Sequence, residues 1–181
     1  KWGNFDLNWG RPLKSILCVF DKKVVNFELY HLKSSNLTYV DKDFEERKKI
    51  FTDFISYHKY FLKIGTILDQ EKRKELIKTN IEKVLKKKNL MIEDNEKLLD
   101  EVTNLIDEPH ILECSFDKKF LSIPKEILIL TMQSHQKYFP LFTKKDEITN
   151  EFIVIANKKD KEGLIKIGNE RVVRARLDDA N

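Results

Sequence analysis

Cysteine, glycine and arginine are scarce in this sequence, and long apolar runs are missing. Its 181 residues include two Cys and five Gly, and no stretch approaches the roughly 20 apolar residues that a membrane-spanning helix requires. We therefore predict a soluble chain without a membrane span. Cys18 and Cys114 lie far apart in apolar, strand-like sequence, and their spacing is not that of metal ligands. We interpret them as buried thiols of a cytoplasmic protein.

Recognisable catalytic and cofactor motifs are also missing from the sequence. The glycines form neither a GxGxxG motif nor a P-loop, and no nucleophile elbow occurs. The four histidines lack the spacing of a metal site; they are His31, His58, His110 and His135. We therefore predict no catalytic residue, no metal and no cofactor in this chain.

Apolar and aromatic side chains are abundant enough for a folded core. Hydrophobic residues make up 41% of the chain and aromatic residues 10%, a composition that disordered chains lack. The net charge of +4 arises from 34 basic and 30 acidic residues, a mild excess that is typical of proteins with a polyanionic partner. Three of the six arginines fall in residues 171–176, and arginine is the better bidentate phosphate ligand.

The sequence pattern of the first half of the chain predicts a hairpin followed by helices. Residues 13–20 and 24–32 are rich in β-branched and aromatic residues and are joined at Asp21-Lys22-Lys23, which is typical of a hairpin. Between residues 44 and 104, apolar residues recur every three or four positions, which predicts helices. The first covers residues 50–62, the second is capped by Asp69 and ends at residues 86–88, and the third is capped by Asn95.

The second half returns to strands. Strand-like sequences occur at residues 111–116, 120–121, 138–142 and 152–156. A helix is expected to begin at Pro124 and to bury Ile127, Leu128, Leu130 and Met132. A last helix is expected from about residue 162 to residue 180. Strands at both ends around a helical block predict an α+β fold with a mixed or antiparallel core. We place the core in residues 1–43 and 107–161, a helical insertion in 44–106, and a helix leading towards a next domain in 162–181.

Two segments are difficult to explain by packing alone. Residues 134–139 bring amide, imidazole, ammonium and phenol groups to a helix–strand junction, where they could meet a nucleotide or an amino-acid ester. The alternative, a solvated helix end followed by core aromatics, is favoured by the chemistry. In residues 168–179, Arg171 and Arg174 share a helix side with Asp178 and could bind phosphate or form salt bridges, with bridging slightly favoured. Gly168 inside this helix predicts a close packing partner.

Both segments carry a resemblance to a known family. The strings at 128–132 with 136–139, at 152–157 and at 168–180 resemble, in order and spacing, the beta subunit of the bacterial heterotetrameric glycyl-tRNA synthetase. The resemblance extends through Ile67-Leu68-Asp69 with Arg73 to Arg11-Pro12, so it covers essentially the whole chain. Lys1 in place of an initiator Met, and a helical pattern that reaches the last residues, predict an internal fragment of a longer chain.

The sequence departs from the family pattern at two places. Residues 39–43 replace the family's Gly-His-Arg stretch, so the roles of that His and Arg cannot be transferred. Asp107-Glu108-Pro109 replaces the family's Glu-Trp-Pro and removes an aromatic side chain.

The resemblance implies a tRNA-binding role without chemistry of its own. In the family the alpha subunit holds ATP, Mg²⁺ and glycine, and the beta subunit mainly binds tRNA(Gly), in the cytoplasm. The implied fold is similar to the editing-type module of the phenylalanyl-tRNA synthetase beta chain. We select tRNA contacts from basic and polar residues of the matched segments: Arg11, Gln136, Lys137, Tyr138, Arg171, Arg174 and Arg176. A purely structural interface, or an editing-like ester hydrolase near His135 and Lys137, are the alternatives.

Overall fold

The chain divides into two units, each described by itself. A computed structural model describes residue 4, residues 6–8, residue 10, residues 13–42 and residues 45–180. The first unit comprises Lys1–Ile64 and the second Gly65–Asn181. The helices and strands together make an α+β protein, which confirms the predicted class. The likeness to the editing-type module stays a prediction.

The first unit consists of short strands and one helix. They are β1 (Ile16–Leu17), β2 (Val19–Phe20), β3 (Lys23–Val24), β4 (Glu28–Leu29), β5 (Leu32–Ser35), β6 (Leu37–Lys42), β7 (Glu45–Ile50) and α1 (Phe54–Lys63). Three strands form a sheet in which β1 and β5 are parallel and β4 and β5 antiparallel, and two hairpins pair β2 with β3 and β6 with β7.

The predicted hairpin around residues 21–23 is confirmed, with shorter strands. Asp21 and Lys22 have φ values of 47° and 61°, as both central residues of a type I′ turn do. This turn twists the chain in the same sense as the strands, so it can close a two-residue loop. Val19 pairs with Val24 and Phe20 with Lys23.

The first predicted helix begins later than expected. Residues 45–50 form β7, which pairs with β6 from Leu37↔Ile50 to Lys42↔Glu45. The helical interpretation of this segment was wrong because a strand partner decides its conformation. Helix α1 then begins after Asp53, whose Oδ1 accepts from the Ser56 N–H at 2.7 Å.

The second unit is built on one antiparallel sheet flanked by helices. Its regular elements are α2 (Gln70–Lys88), α3 (Glu96–Leu105), β8 (His110–Ser115), α4 (Lys125–Ile129), β9 (Phe139–Phe142), β10 (Ile148–Ala156) and α5 (Leu164–Ala180). The strand order is β8-β10-β9. A 3₁₀ helix lies at Lys118–Ser122, where a strand at 120–121 was predicted wrongly, and a π-helical segment at Leu130–His135 continues α4.

Alternate residues of β10 face two separate cores. Ile153 and Ile155 pack with the inner stripes of α2 and α3, whereas Phe152 and Val154 pack with residues of α5 and of the helices after β8. The alternation follows from the two-residue period of a strand. Helices therefore cover both faces of the sheet.

The helix caps predicted at Asp69 and Asn95 are confirmed. Asp69 Oδ1 accepts from the Lys72 N–H at 3.1 Å, and Asn95 Oδ1 from the Leu98 N–H at 2.9 Å. Helix α4 follows Pro124, as predicted, and buries Leu128. Burial of Ile127 and Leu130 was predicted wrongly, because they are 40% and 52% exposed.

The described strands group into the same two units, and the predicted division into core, helical insertion and connecting helix stays a prediction. Among the described strands, β1–β7 pair only with one another, and β8–β10 form their own sheet. Helices α2 and α3 share a core with Phe139 and Ile153, so they belong with the second sheet. Pattern alone could not reveal this grouping, since pairing between distant segments determines it.

Two residues of the family resemblance join separate segments of the second unit. Arg73 donates from Nε to the Thr103 carbonyl at 2.9 Å and from Nη1 to the Ile67 carbonyl. Asn157 Oδ1 accepts from the N–H groups of Asp107 and Glu108 at 2.8 and 2.9 Å. Arg73 and Asn157 therefore have structural roles in this unit.

Candidate nucleic-acid interface

Helix α5 presents the three late arginines to solvent. Its first turn is capped by Asp160, whose carboxylate accepts from the N–H groups of Ile165 and Lys166 at 3.1 and 2.9 Å. The face that packs on the sheet carries Val173 and Leu177, both fully buried. Arginines occupy the remaining sides of its C-terminal half, and all three are exposed; they are Arg171, Arg174 and Arg176.

The bridging predicted for these arginines occurs at one of them. Arg174 Nε lies 3.6 Å from Asp178 Oδ2, one helical turn away. Within the described part of the chain, Arg171 has no ion pair. Glu170 instead accepts from the Ser115 N–H at 2.8 Å, so it closes the end of β8 and is not a partner of the arginines.

Arg176 contacts a residue from the other predicted segment. With its amide oxygen turned towards the guanidinium, Gln136 accepts from Arg176 Nε at 2.8 Å and from Nη2 at 3.2 Å. A neutral amide leaves the full positive charge on the arginine. Gln136 and Arg176, which are 40 positions apart in sequence, are therefore neighbours. We call Gln136, Arg171, Arg174 and Arg176 together the arginine surface.

Lys137 forms a sharp turn and an ion pair. Its φ of 62° is left-handed, and its Nζ lies 2.8 Å from Glu101 Oε1 on α3. A phosphate at this position would have to compete with that carboxylate. His135 precedes it on the exposed end of the π-helical segment.

Tyr138 is buried, as the packing alternative expected. Its ring is 6% exposed and stacks on Phe152 at a centroid distance of 5.3 Å. The hydroxyl donates to Asn169 Oδ1 on α5, and Asn169 Nδ2 donates to the Ile165 carbonyl at 2.7 Å. Burial raises the pKa of Tyr138. In this structure the side chain positions α5, and its ring faces are covered. Arg11, the remaining selected residue, lies outside the described residues.

The packing partner predicted for Gly168 is not present. Gly168 is exposed, and a Cβ at this position would meet nothing within 4 Å. Leu164 and Val172, on the same side of α5, are 63% and 40% exposed. The expectation was wrong because the helix packs through Val173 and Leu177, on a different side.

Sequence analysis missed a group of lysines near the base of α5. Lys118 and Lys166 line a cavity of about 370 Å³ with Lys88. Lys88 is paired with Glu113 at 3.4 Å and with Glu151, and the hydrogen bond that Lys88 donates to Glu151 raises the pKa of Lys88. Residues 86–88 thus end α2, as predicted, with Asn89 as a left-handed cap. Their ion pairs could not be read from sequence, because the partners lie on distant strands.

The described residues contain neither a cluster of metal-ligating side chains nor a helix that could cross a membrane. Among them, no group of three His, Cys, Asp or Glu side chains is arranged to hold a metal ion. None of the helices in the described ranges has the length and apolar character needed to cross a membrane.

Comparison with known proteins places this chain among subunits of aminoacyl-tRNA synthetases. The model of the family "Glycyl-tRNA synthetase beta subunit" matches residues 1–181. The chain therefore belongs to the glycyl-tRNA synthetase beta subunit family.

Three relatives illustrate the match. The glycine–tRNA ligase beta subunit of Rickettsia akari (strain Hartford) is 38% identical over 180 residues. That of Rickettsia felis (strain ATCC VR-1525 / URRWXCal2) is 38% identical over 183 residues, and that of Rickettsia bellii (strain OSU 85-389) is 37% identical over 180. Each alignment covers 99% of this chain and 27% of the relative. The chain thus spans about a quarter of the length of these relatives.

Proposed function

We propose that this chain helps a cytoplasmic glycine–tRNA ligase to bind tRNA(Gly) and to organise the domains of its beta subunit for aminoacylation. The observation that carries the proposal is the arginine surface. It places three exposed guanidinium groups on one helix, and Asp178 is the one carboxylate in the described residues that contacts them. Forked arginine donors match phosphate oxygens, so this surface suits an RNA backbone.

The neighbouring residues have distinct roles under this proposal. Gln136 orients Arg176 and offers an amide to a ribose or base edge. Tyr138 acts indirectly, because its bond to Asn169 fixes α5 against the sheet. Lys137 contacts RNA only by exchanging Glu101 for a phosphate.

The chemistry of the ligase lies elsewhere under the same proposal. Glycine, ATP and Mg²⁺ bind the alpha subunit, the protein partner of this chain, and we assign no catalytic residue here. The chain supplies positive charge and a fixed helix orientation.

An interface role is the second candidate, and a specific observation favours it. Leu164, Ile167 and Val172 on α5 are 63%, 50% and 40% exposed. Apolar side chains along one helix are typical of a surface that another protein domain covers. In that case Arg171 and Arg174 would pair with acidic groups of the covering domain.

Filter binding of labelled tRNA(Gly) to the intact beta subunit with its alpha subunit tests the proposal. We expect the double variant Arg171→Ala/Arg174→Ala to bind about tenfold or more weakly. The salt slope, which is the steepness with which log K falls as log salt concentration rises, should decrease by about 1.8, because each lost phosphate contact removes about 0.9. The matched control Lys72→Ala/Lys83→Ala removes two exposed lysines from α2 and should bind normally. Unchanged affinity and slope in the arginine variant would overturn the proposal and favour the interface.

A further inference from the structure

The β2–β3 hairpin of the first unit holds an aromatic ring at a tight, fixed tip. Phe20 pairs directly with Lys23 across the hairpin, and Asp21 and Lys22 between them are both left-handed. A two-residue type I′ loop fixes the backbone positions of the residues that flank it. The tip therefore presents Phe20 and the lysines in a defined arrangement.

The base of this hairpin is anchored to the neighbouring sheet. The Val25 N–H donates to the Cys18 carbonyl at 3.1 Å, and the Cys18 N–H donates to the Ser35 carbonyl on β5 at 2.9 Å. Ser34 adds a hydrogen bond from its hydroxyl to the Val25 carbonyl at 2.7 Å. These bonds anchor both strands of the hairpin within the first unit.

Phe20 makes no contribution to the core of this unit. It is 77% exposed, although a phenyl ring is among the most costly side chains to leave in water. Lys22 and Lys23 are exposed beside it, and neither forms an ion pair within the described ranges. Residues 20–23 therefore contain two ammonium groups and one carboxylate, that of Asp21.

We propose that Phe20 stacks on an unpaired base of the bound tRNA while Lys22 and Lys23 contact the adjoining phosphates. This inference rests on the proposed function and adds a second RNA contact in the other unit. Every base offers a flat face to an aromatic ring, and lysines track the backbone of a single strand. An apolar protein surface fits less well, because covering the ring would strip water from two unpaired ammonium groups.

Titration of labelled tRNA(Gly) with the intact beta subunit and its alpha subunit tests this contact. We expect Phe20→Ala to weaken binding roughly 5- to 150-fold, which corresponds to the loss found when a stacked aromatic is truncated. Phe20→Trp should retain affinity, and its added indole emission should be quenched when tRNA binds. Phe54→Ala, which removes a ring that is 71% exposed on α1, is the matched control and should bind normally.

The lysines are tested separately by salt dependence. Lys22→Ala/Lys23→Ala should lower the salt slope by about 1.4, since each phosphate contact to a single strand contributes about 0.7. Phe20→Ala should leave that slope unchanged.

The outcomes separate this inference from the proposed function. If the unmodified protein binds tRNA and Phe20→Ala binds equally well, the inference is wrong and the proposed function stands. If the unmodified protein does not bind tRNA, both are wrong. If Phe20→Trp binds tRNA without quenching, the ring at this position does not stack on a base and the inference is overturned. It is also overturned if Phe20→Ala weakens association with the alpha subunit and leaves tRNA affinity unchanged, because the tip then contacts protein.

Discussion

The two units bury their apolar side chains to different extents. In residues 65–181, helices cover both faces of one sheet, and Leu128, Phe152 and Ile153 have no exposed surface. In residues 1–64, Phe51 is the largest buried side chain among those described, while Phe20 and Ile55 are 77% and 78% exposed. The second unit is therefore stabilised by its own packing. The first depends on hairpin hydrogen bonds and one aromatic cluster.

Each unit contains one cysteine, which allows the comparison to be measured. Cys18 lies in the first unit and is partly exposed, whereas Cys114 lies in the second and is buried. Burial raises the pKa of the Cys114 thiol to about 12, so its thiolate is scarce at neutral pH. Alkylation of Cys114 then requires the second unit to open, and its rate reports the free energy of that opening.

The largest effect is expected from Phe152→Ala. Phe152 is fully buried and stacks on Tyr138 and Phe116, with ring centroids 5.3 and 6.4 Å away. Truncation leaves a cavity between sheet and helices and should cost about 4 kcal/mol of unfolding free energy. Iodoacetamide should alkylate Cys114 about a thousandfold faster, since 1.4 kcal/mol corresponds to tenfold. Phe54→Ala, on the exposed side of α1, is the control. An unchanged Cys114 rate would show that the second unit is not held by this core.

A smaller effect, confined to the first unit, is expected from Phe51→Ala. Phe51 contacts Tyr57, Tyr60 and Phe61 of α1 at centroid distances of 5.2, 5.5 and 6.1 Å. Its removal should cost about 3 kcal/mol, because a cluster near the surface collapses more easily than a closed core.

The two thiols again provide the measurement for this variant. Cys18 should become more reactive while Cys114 keeps its original rate. Ile55→Ala, which removes a side chain that is 78% exposed on the same helix, should change neither. If both thiols respond together to Phe51→Ala, the units unfold as one and the comparison fails.

Local signals made part of the fold predictable. The caps at Asp69 and Asn95 and the turn at residues 21–22 depend on neighbours in sequence, so composition and spacing indicated them correctly. The strand β7 depends on its pairing with β6, and a helical pattern of apolar residues could not indicate that.

In the candidate site, too, sequence indicated the local features and missed those that depend on distant segments. The clustering of Arg171, Arg174 and Arg176 in the sequence selected them as candidate contacts, and all three are exposed. The contact between Gln136 and Arg176 joins elements 40 residues apart, and the burial of Tyr138 depends on how α5 packs on the sheet. Sequence could nominate these side chains, but tertiary packing determines which of them face solvent.

Ion pairs between helices of the second unit should contribute less to its stability than the buried aromatic side chains do. Lys74 Nζ lies 2.8 Å from Glu96 Oε2 and 2.6 Å from Asp100 Oδ1, so it joins α2 to α3. Hydrogen bonds from Lys74 and then Lys78 lower the pKa of Glu96 from 4.5 to about 2. Because the folded pKa is the lower one, this stabilisation is fully present above about pH 4.5 and is lost as the pH falls towards 2.

Glu96→Gln should therefore slightly lower the midpoint of thermal unfolding at pH 7, and this difference should shrink to nothing near pH 2. Side-chain carboxyl NMR of the unmodified protein should give a Glu96 midpoint near 2. Glu75→Gln is the control, because Glu75 is an exposed carboxylate on α2 without an ion pair in the described part of the chain. A Glu96 midpoint near 4.5 would mean that the lysines do not hold this carboxylate in solution. The contact between α2 and α3 would then rest on their buried stripes and on the hydrogen bonds of Arg73.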